Sequence, residues 1–223
     1  MLNSKTSSKL LEEAPSPALT EQLRRDMGVA ATKALRAVNY RNAGTIEFLL
    51  DEDNSFYFME MNTRVQVEHP VTEIITGTDI IKEQIRIAAN EPISCIDRAP
   101  FSPFGHAIEM RINAEDVNNN FSPTPGKITH LRLPNGPGVR VDTFLEEGSV
   151  ISPFYDSLLA KLICYGQDRK ETLARARRAL KEFEIEGVST TIPFHLRVLA
   201  NDVFIAGEAR TDFIEKEMSD TLK

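Results

Sequence analysis

From Glu60 to Glu68 the chain alternates. Glu60, Asn62, Arg64, Gln66 and Glu68 are charged or amide-bearing, and most residues between them are apolar. A period of two predicts an extended segment with one polar face. Upstream, Leu19, Leu23, Met27, Ala30, Ala31, Ala34, Leu35 and Val38 recur at helical spacing and predict a helix over residues 19–38. Residues 44–50 and 56–62 predict two strands, with the polar stretch 51–55 as the turn. Thr78 or Asp79 caps a predicted helix running to about Asn90, with Ile80, Ile81, Gln84, Ile85 and Ala88 inward. Residues 1–9 are polar and predicted to fray, and the proline-bearing stretch 91–103 reads as a linker or crossing loop.

From His106 the texture changes. Residues 106–113 alternate like a strand, residues 122–126 must turn, and 127–133, 139–144 and 157–165 predict further short strands. Asp168 caps a helix, with Glu171 completing a capping box. That helix runs to about Glu184, and short helices follow over 193–201 and 212–222. The fold class is therefore α+β: a hairpin with two helices, then a mostly antiparallel sheet followed by helices.

The hairpin carries the first candidate chemistry. A register with Leu50 facing Tyr57 puts Glu47 opposite Glu60. Directly opposed carboxylates have Cβ atoms roughly 4.5–5.5 Å apart and repel. A divalent cation taking oxygens from Glu47, Glu60 and Asn62 removes that conflict, and Mg²⁺ or Mn²⁺ suits such ligands. The alternative is a different register, with one glutamate turned to solvent. Fully extended, the path from Glu60 to Glu68 would span roughly 26 Å, too long for one reaction centre. The chain is therefore expected to bend after Asn62. Arg64 suits a small oxyanion and Glu68 a base, or each is an ordinary ion-pair partner. Arg111 is either a second anion-binding arginine or the partner of Glu109 or Asp116. Asp156 is a turn residue or a site residue. His106 and His195 have no partner visible in the sequence. The basic stretch 169–181 reads as a solvated helix face.

The chain has 223 residues, 41% of them hydrophobic and 26% charged, so it suffices for one large domain or two small ones with packed cores. A net charge of -7 argues against a general nucleic-acid binder. Cys95 and Cys164 make no disulfide framework and no metal motif. No apolar run approaches about 18 residues and no secretory start is evident, so the expectation is a cytoplasmic protein with no membrane partner.

Three stretches together resemble the biotin carboxylase family, the ATP-grasp subunit of acetyl-CoA carboxylase. They are Gly44-Thr45-Ile46-Glu47-Phe48-Leu49, the run from Glu60 through His69-Pro70 to Glu73, and Arg111-Ile112-Asn113-Ala114-Glu115-Asp116 followed by Ser122-Pro123-Thr124-Pro125-Gly126-Lys127-Ile128. Tyr155-Asp156-Ser157-Leu158-Leu159-Ala160-Lys161-Leu162 supports them. The resemblance runs from about Lys9 to the C-terminus. It implies the C-terminal half of an ATP-grasp domain over 9–98, the biotin carboxylase C-terminal domain over 99–223, and a disordered or foreign segment over 1–8.

The resemblance also implies roles. Glu47 and Glu60 would hold Mg²⁺ or Mn²⁺ at the ATP phosphates with Asn62 alongside, and Leu49 would border the adenine. Lys9, Arg64, Gln66 and the Val67 backbone would hold bicarbonate, and Glu68 would deprotonate it. Arg111 would stabilise the biotin enolate and Asp156 would help form the biotin end of the site. Expected partners are a biotin carboxyl carrier protein, carboxyltransferase subunits and a second copy of the chain. A family member is roughly twice as long, and the glycine-rich lid and the phosphate-gripping lysines belong to the part not seen here. The expectation is that the isolated chain is inactive. The alternatives are an inactive assembly module, or the same module from a pyruvate, propionyl-CoA or urea carboxylase.

Overall fold

The computed structural model describes residues 2–3, 9–95 and 103–218. The chain divides into two compact units. One joins Met1–Pro15 to Phe104–Lys223, and the other is Ser16–Pro103. In chain order the elements begin with β1 (Leu2–Asn3), β2 (Lys9–Ala14), α1 (Glu21–Ala37), β3 (Thr45–Leu50), β4 (Phe56–Asn62), α2 (His69–Thr76) and α3 (Ile80–Ala88). Then come β5 (His106–Asn113), β6 (Glu115–Asp116), β7 (Ser122–Pro123), β8 (Gly126–Lys127), β9 (His130–Arg132), β10 (Val139–Thr143), β11 (Val150–Ile151) and β12 (Leu158–Gly166). The chain closes with α4 (Arg169–Glu182), β13 (Glu184–Glu186), α5 (Ile192–Ala200), α6 (Asp202–Ala206) and α7 (Phe213–Glu217).

In the unit Ser16–Pro103, Thr20 caps α1 by accepting the Leu23 amide at 3.2 Å, and Asp79 caps α3 by accepting the Lys82 amide at 2.7 Å. These short polar side chains satisfy amide groups that the helix itself leaves open. The inward face of α3 differs from the predicted one. Ile85 is 66% exposed, while Glu83 is buried. Glu83 stays inside because it accepts the Ser94 amide at 2.8 Å and the Ser94 hydroxyl at 2.6 Å. Ile80, Glu83 and Ile87 of α3 line a cavity of about 390 Å³ together with Ala31 and Leu35 of α1 and Ile46 of β3. Helix α2 has no counterpart among the predicted elements. Pro70 sits in its first turn, where a missing N–H costs nothing, and Gly77 ends it at φ 64°.

The other unit is built on a five-stranded antiparallel sheet in the order β1-β2-β5-β12-β10. Ile108, Met110 and Ile112 of β5, with Leu162 and Cys164 of β12, form the apolar face. Leu173, Ala176, Ala179 and Leu180 of α4 and Phe194, Val198 and Leu199 of α5 complete that core. The alternate residues pair across the strands as charged groups: Glu12 opposite Glu109, Arg111 opposite Lys161, and Lys161 opposite Asp142. Period-two patterning thus gives the sheet an apolar helix-covered face and a charged one.

Three expectations are corrected here. Strand β2, assigned from sequence to the segment 9–98, is hydrogen-bonded into the sheet with β5. Leu2–Asn3, part of the segment 1–8 expected to be disordered or foreign, is ordered as a strand paired with β2, while residues 1 and 4–8 lie outside the described residues. Helix α4 is not simply a solvated basic face. Arg169 donates to Glu13 at 2.8 Å, Arg177 to the Leu199 carbonyl at 2.6 Å, and Arg178 to the Asn135 carbonyl at 3.0 Å, so its arginines tie the helix to its neighbours. Predicted residues 219–222 of the last helix lie outside the described residues.

Candidate active site

Strands β3 and β4 place Glu47 opposite Glu60, as the sequence predicts, by a route it does not reveal. Near the turn the pairs are Leu50 with Phe56, Leu49 with Tyr57, and Phe48 with Phe58. Leu50 therefore does not face Tyr57. A bulge at Met59 takes up one extra residue, and beyond it Glu47 faces Glu60, Ile46 faces Met61 and Thr45 faces Asn62.

Two amides hold the opposed carboxylates. Asn62 Nδ2 donates to Glu47 Oε1 at 3.1 Å and to Glu60 Oε1 at 3.0 Å. Gln66 Nε2 donates to the same Glu47 oxygen at 2.7 Å. Gln66 is buried, and its own Oε1 has no hydrogen-bond partner among the described residues. Gly44 lets Asn62 approach closely: a Cβ there would lie 3.0 Å from the Asn62 carbonyl oxygen. Four of the predicted residues are therefore gathered by three hydrogen bonds.

The strand ends at Asn62, so the predicted bend is present. Arg64 is exposed and turns its guanidinium to the Val65 carbonyl at 3.3 Å. The loop closes when His69 N donates to the Gln66 carbonyl at 3.3 Å, and Glu68 becomes the residue before α2. Val67 lies in this loop. Leu49, two residues before the chain turn, is 53% exposed.

The sheet unit holds the remaining candidates. Lys9 begins β2. Arg111 lies in β5, and its Nη2 pairs with Glu12 Oε1 at 2.6 Å, a partner that the sequence did not mark. Asp156 is exposed in the loop before β12, where its Oδ1 accepts the Leu158 amide at 2.9 Å. Both histidines left without partners by the sequence have them. His106 Nε2 meets Glu13 Oε2 at 3.0 Å, and His195 Nε2 lies 2.9 Å from the Arg111 carbonyl. Burial raises the Glu13 carboxyl, but hydrogen bonds from His106 and Arg169 outweigh it and hold Glu13 below its ordinary range. Burial pulls His195 down to about 4.

Residues 2–96 match the family described as carbamoyl-phosphate synthase L chain, ATP binding domain, and residues 109–216 match the biotin carboxylase C-terminal domain. The chain belongs to the biotin carboxylase family. Biotin carboxylase 1 of Bacillus subtilis is 54% identical over 208 residues, 93% of this chain and 46% of that protein. A pyruvate carboxylase subunit of Methanothermobacter thermautotrophicus is 52% identical over 208 residues, 93% of this chain and 42% of that protein. The biotin carboxylase domain dimer of 2-oxoglutarate carboxylase from Hydrogenobacter thermophilus, solved with MgADP, ADP and bicarbonate, matches with a TM-score of 0.94 at 43% identity. That match covers 97% of this chain and 48% of the other. The chain spans about half the length of the curated relatives it matches.

The donor set at the hairpin is of the kind that a hard divalent cation accepts. Two carboxylates face each other, and an amide lies within reach of both. Among the described residues there is no group of three or more His, Cys, Asp or Glu that could hold a metal by itself. Two carboxylates suit Mg²⁺ completed by phosphate oxygens and water. The residues missed from sequence are Glu12, Thr191 and His195. Each acts across a gap of 80 or more residues, and no local signal marks such a contact.

Proposed function

We propose that this chain supplies the metal, bicarbonate and biotin residues of an ATP- and bicarbonate-dependent carboxylation of biotin. The observation that carries the reading is the cluster of Glu47, Glu60, Asn62 and Gln66, leading directly into the loop of Arg64, Val67 and Glu68. Glu47 and Glu60, with the Asn62 amide, would hold Mg²⁺ or Mn²⁺, which supplies charge neutralisation at the ATP phosphates. Leu49 would border the adenine. Arg64, Gln66, the Val67 amide and Lys9 would hold bicarbonate, and Glu68 would take its proton so that its oxygen attacks the γ-phosphorus. ADP leaves as carboxyphosphate forms, and the carboxyl group passes to N1′ of biotin as N1′ loses its proton and inorganic phosphate leaves. Arg111 would stabilise the biotin enolate, with Asp156 at the same end.

The proposed setting is cytoplasmic, with a biotin carboxyl carrier protein, a carboxyltransferase and a second copy of the chain as partners. We assign the acceptor to acetyl-CoA in fatty acid synthesis. The 52% identity to a pyruvate carboxylase subunit favours pyruvate as the second reading, with the same biotin chemistry. The test is Mg²⁺-dependent ATP cleavage, with and without biotin and bicarbonate, by the chain mixed with the part of a relative that it does not span. Cleavage that requires both co-substrates and vanishes in Glu60→Ala supports the reading. Cleavage unchanged in Glu60→Ala removes it.

A further inference from the structure

We propose that Thr191 and His195 are positioning residues for Arg111. The functional consequence rests on the biotin reading of Arg111 given above, while the geometry stands without it. The ladder between β2 and β5 extends from Ala14 with Ala107 to Leu11 with Met110. Past that point, the N-terminal end of α5 takes the place of a strand. Asn113 N donates to Thr191 Oγ1 at 3.0 Å, and Thr191 N donates to the Asn113 carbonyl at 3.1 Å. Thr191 Oγ1 then donates its single proton to the Arg111 carbonyl at 2.8 Å. His195, one helical turn on, brings Nε2 to the same carbonyl at 2.9 Å.

A carbonyl only accepts, so His195 carries its proton on Nε2. Its Nδ1 is buried and has no hydrogen-bond partner among the described residues, which agrees with an unprotonated ring nitrogen there. Thr191 and His195 are both fully buried. Burial keeps the imidazole neutral down to about pH 4, so the donor persists across the neutral range. Arg111 is thus held at both ends. Two donors from one helix fix its peptide, and Glu12 Oε1 fixes its guanidinium at 2.6 Å. A guanidinium that must meet an anion productively tolerates displacements of only about 0.5 Å. Thr191 and His195 touch neither substrate nor reacting atoms in this arrangement. They set where Arg111 points.

Four variants of the full chain test this: Thr191→Val and His195→Phe, which keep volume and remove a donor, and Thr191→Ser and His195→Gln, which keep one. The readouts are the Arg111 Nε–H resonance in ¹H–¹⁵N spectra, its response to added free biotin, and the thermal midpoint. The expected result is a displaced Arg111 resonance and a biotin response weakened about tenfold in Thr191→Val and His195→Phe. Thr191→Ser and His195→Gln restore the native resonance and response. An Arg111 resonance unmoved in Thr191→Val and His195→Phe overturns the proposal. So does a pair of conservative variants that restores the thermal midpoint without restoring Arg111. Should His195→Phe fail to fold, the Thr191 pair decides the matter. A native chain whose Arg111 signal ignores biotin would sink the biotin reading alone, and the resonance positions would still decide the positioning role.

Discussion

Glu47 and Glu60 stand opposite each other across β3 and β4 because the bulge at Met59 restores their register. Opposed carboxylates repel, and here Asn62 and Gln66 screen them only by donating amide protons. A cation relieves the repulsion more completely. Mg²⁺ at about a hundred times its dissociation constant is expected to add about 2.7 kcal/mol to stability, read as a rise in thermal midpoint over a chelated sample. Glu60→Gln should lose most of that rise. An equal rise in the variant would place the cation elsewhere.

Asn62→Asp turns the screen into a third carboxylate. Two donated hydrogen bonds are lost and a like charge is gained. Denaturant unfolding in chelator should show a loss of about 1–3 kcal/mol, and Mg²⁺ should return much of it. A variant equally stable with and without Mg²⁺ contradicts the arrangement.

Arg111 and Glu12 form a mostly buried pair, with side chains 15% and 3% exposed. Arg111→Ala leaves a charged Glu12 inside the sheet unit and should cost roughly 3 kcal/mol. Arg111→Ala combined with Glu12→Gln should be more stable than Arg111→Ala alone. A double variant no better than the single one would show that the pair is not coupled.

His195 gives stability a pH dependence with a definite sign. Its pKa falls from 6.5 to about 4 on folding, because burial disfavours the charged ring. Between these values the unfolded chain binds more protons, so folding is favoured as pH rises. The contribution is complete above about 6.5 and is lost as pH falls towards 4, a change of about 3 kcal/mol. Glu13 is held below its ordinary range despite the opposing effect of burial, so its contribution is lost at the acid end of the same titration. His195→Gln should flatten the limb between pH 6.5 and 4 in urea-melt stability. An unchanged limb would assign it to other groups.

The hairpin was legible because its signals are local. Alternation from Glu60 marked the polar face, and the polar turn at 51–55 paired the strands. The bulge was not legible, since nothing in Phe58-Met59-Glu60 distinguishes one extra residue from a regular ladder. Strand β2 was hidden for a different reason. Lys9–Ala14 is short and carries two adjacent glutamates near its end, and its pairing with β5 lies about a hundred residues away. The same distance concealed Glu12, Thr191 and His195. Helix α3 misled because Ile81 and Ile85 look like core residues, whereas Ser94 holds Glu83 inside instead. The roles proposed for Arg64, Glu68 and Arg111 rest on the family motif. Alternation alone marked them only as charged residues on a strand face.

Carboxyl transfer to biotin is the function proposed for these residues. The most direct measurement follows radiolabel from bicarbonate into biotin, with ATP and Mg²⁺, in the chain supplemented with the part of a relative that it does not span. Label should enter biotin with the native chain and fall to background with Arg64→Ala or Glu68→Gln, while the rise in thermal midpoint with Mg²⁺ is retained. Native-level labelling by both variants would contradict the account.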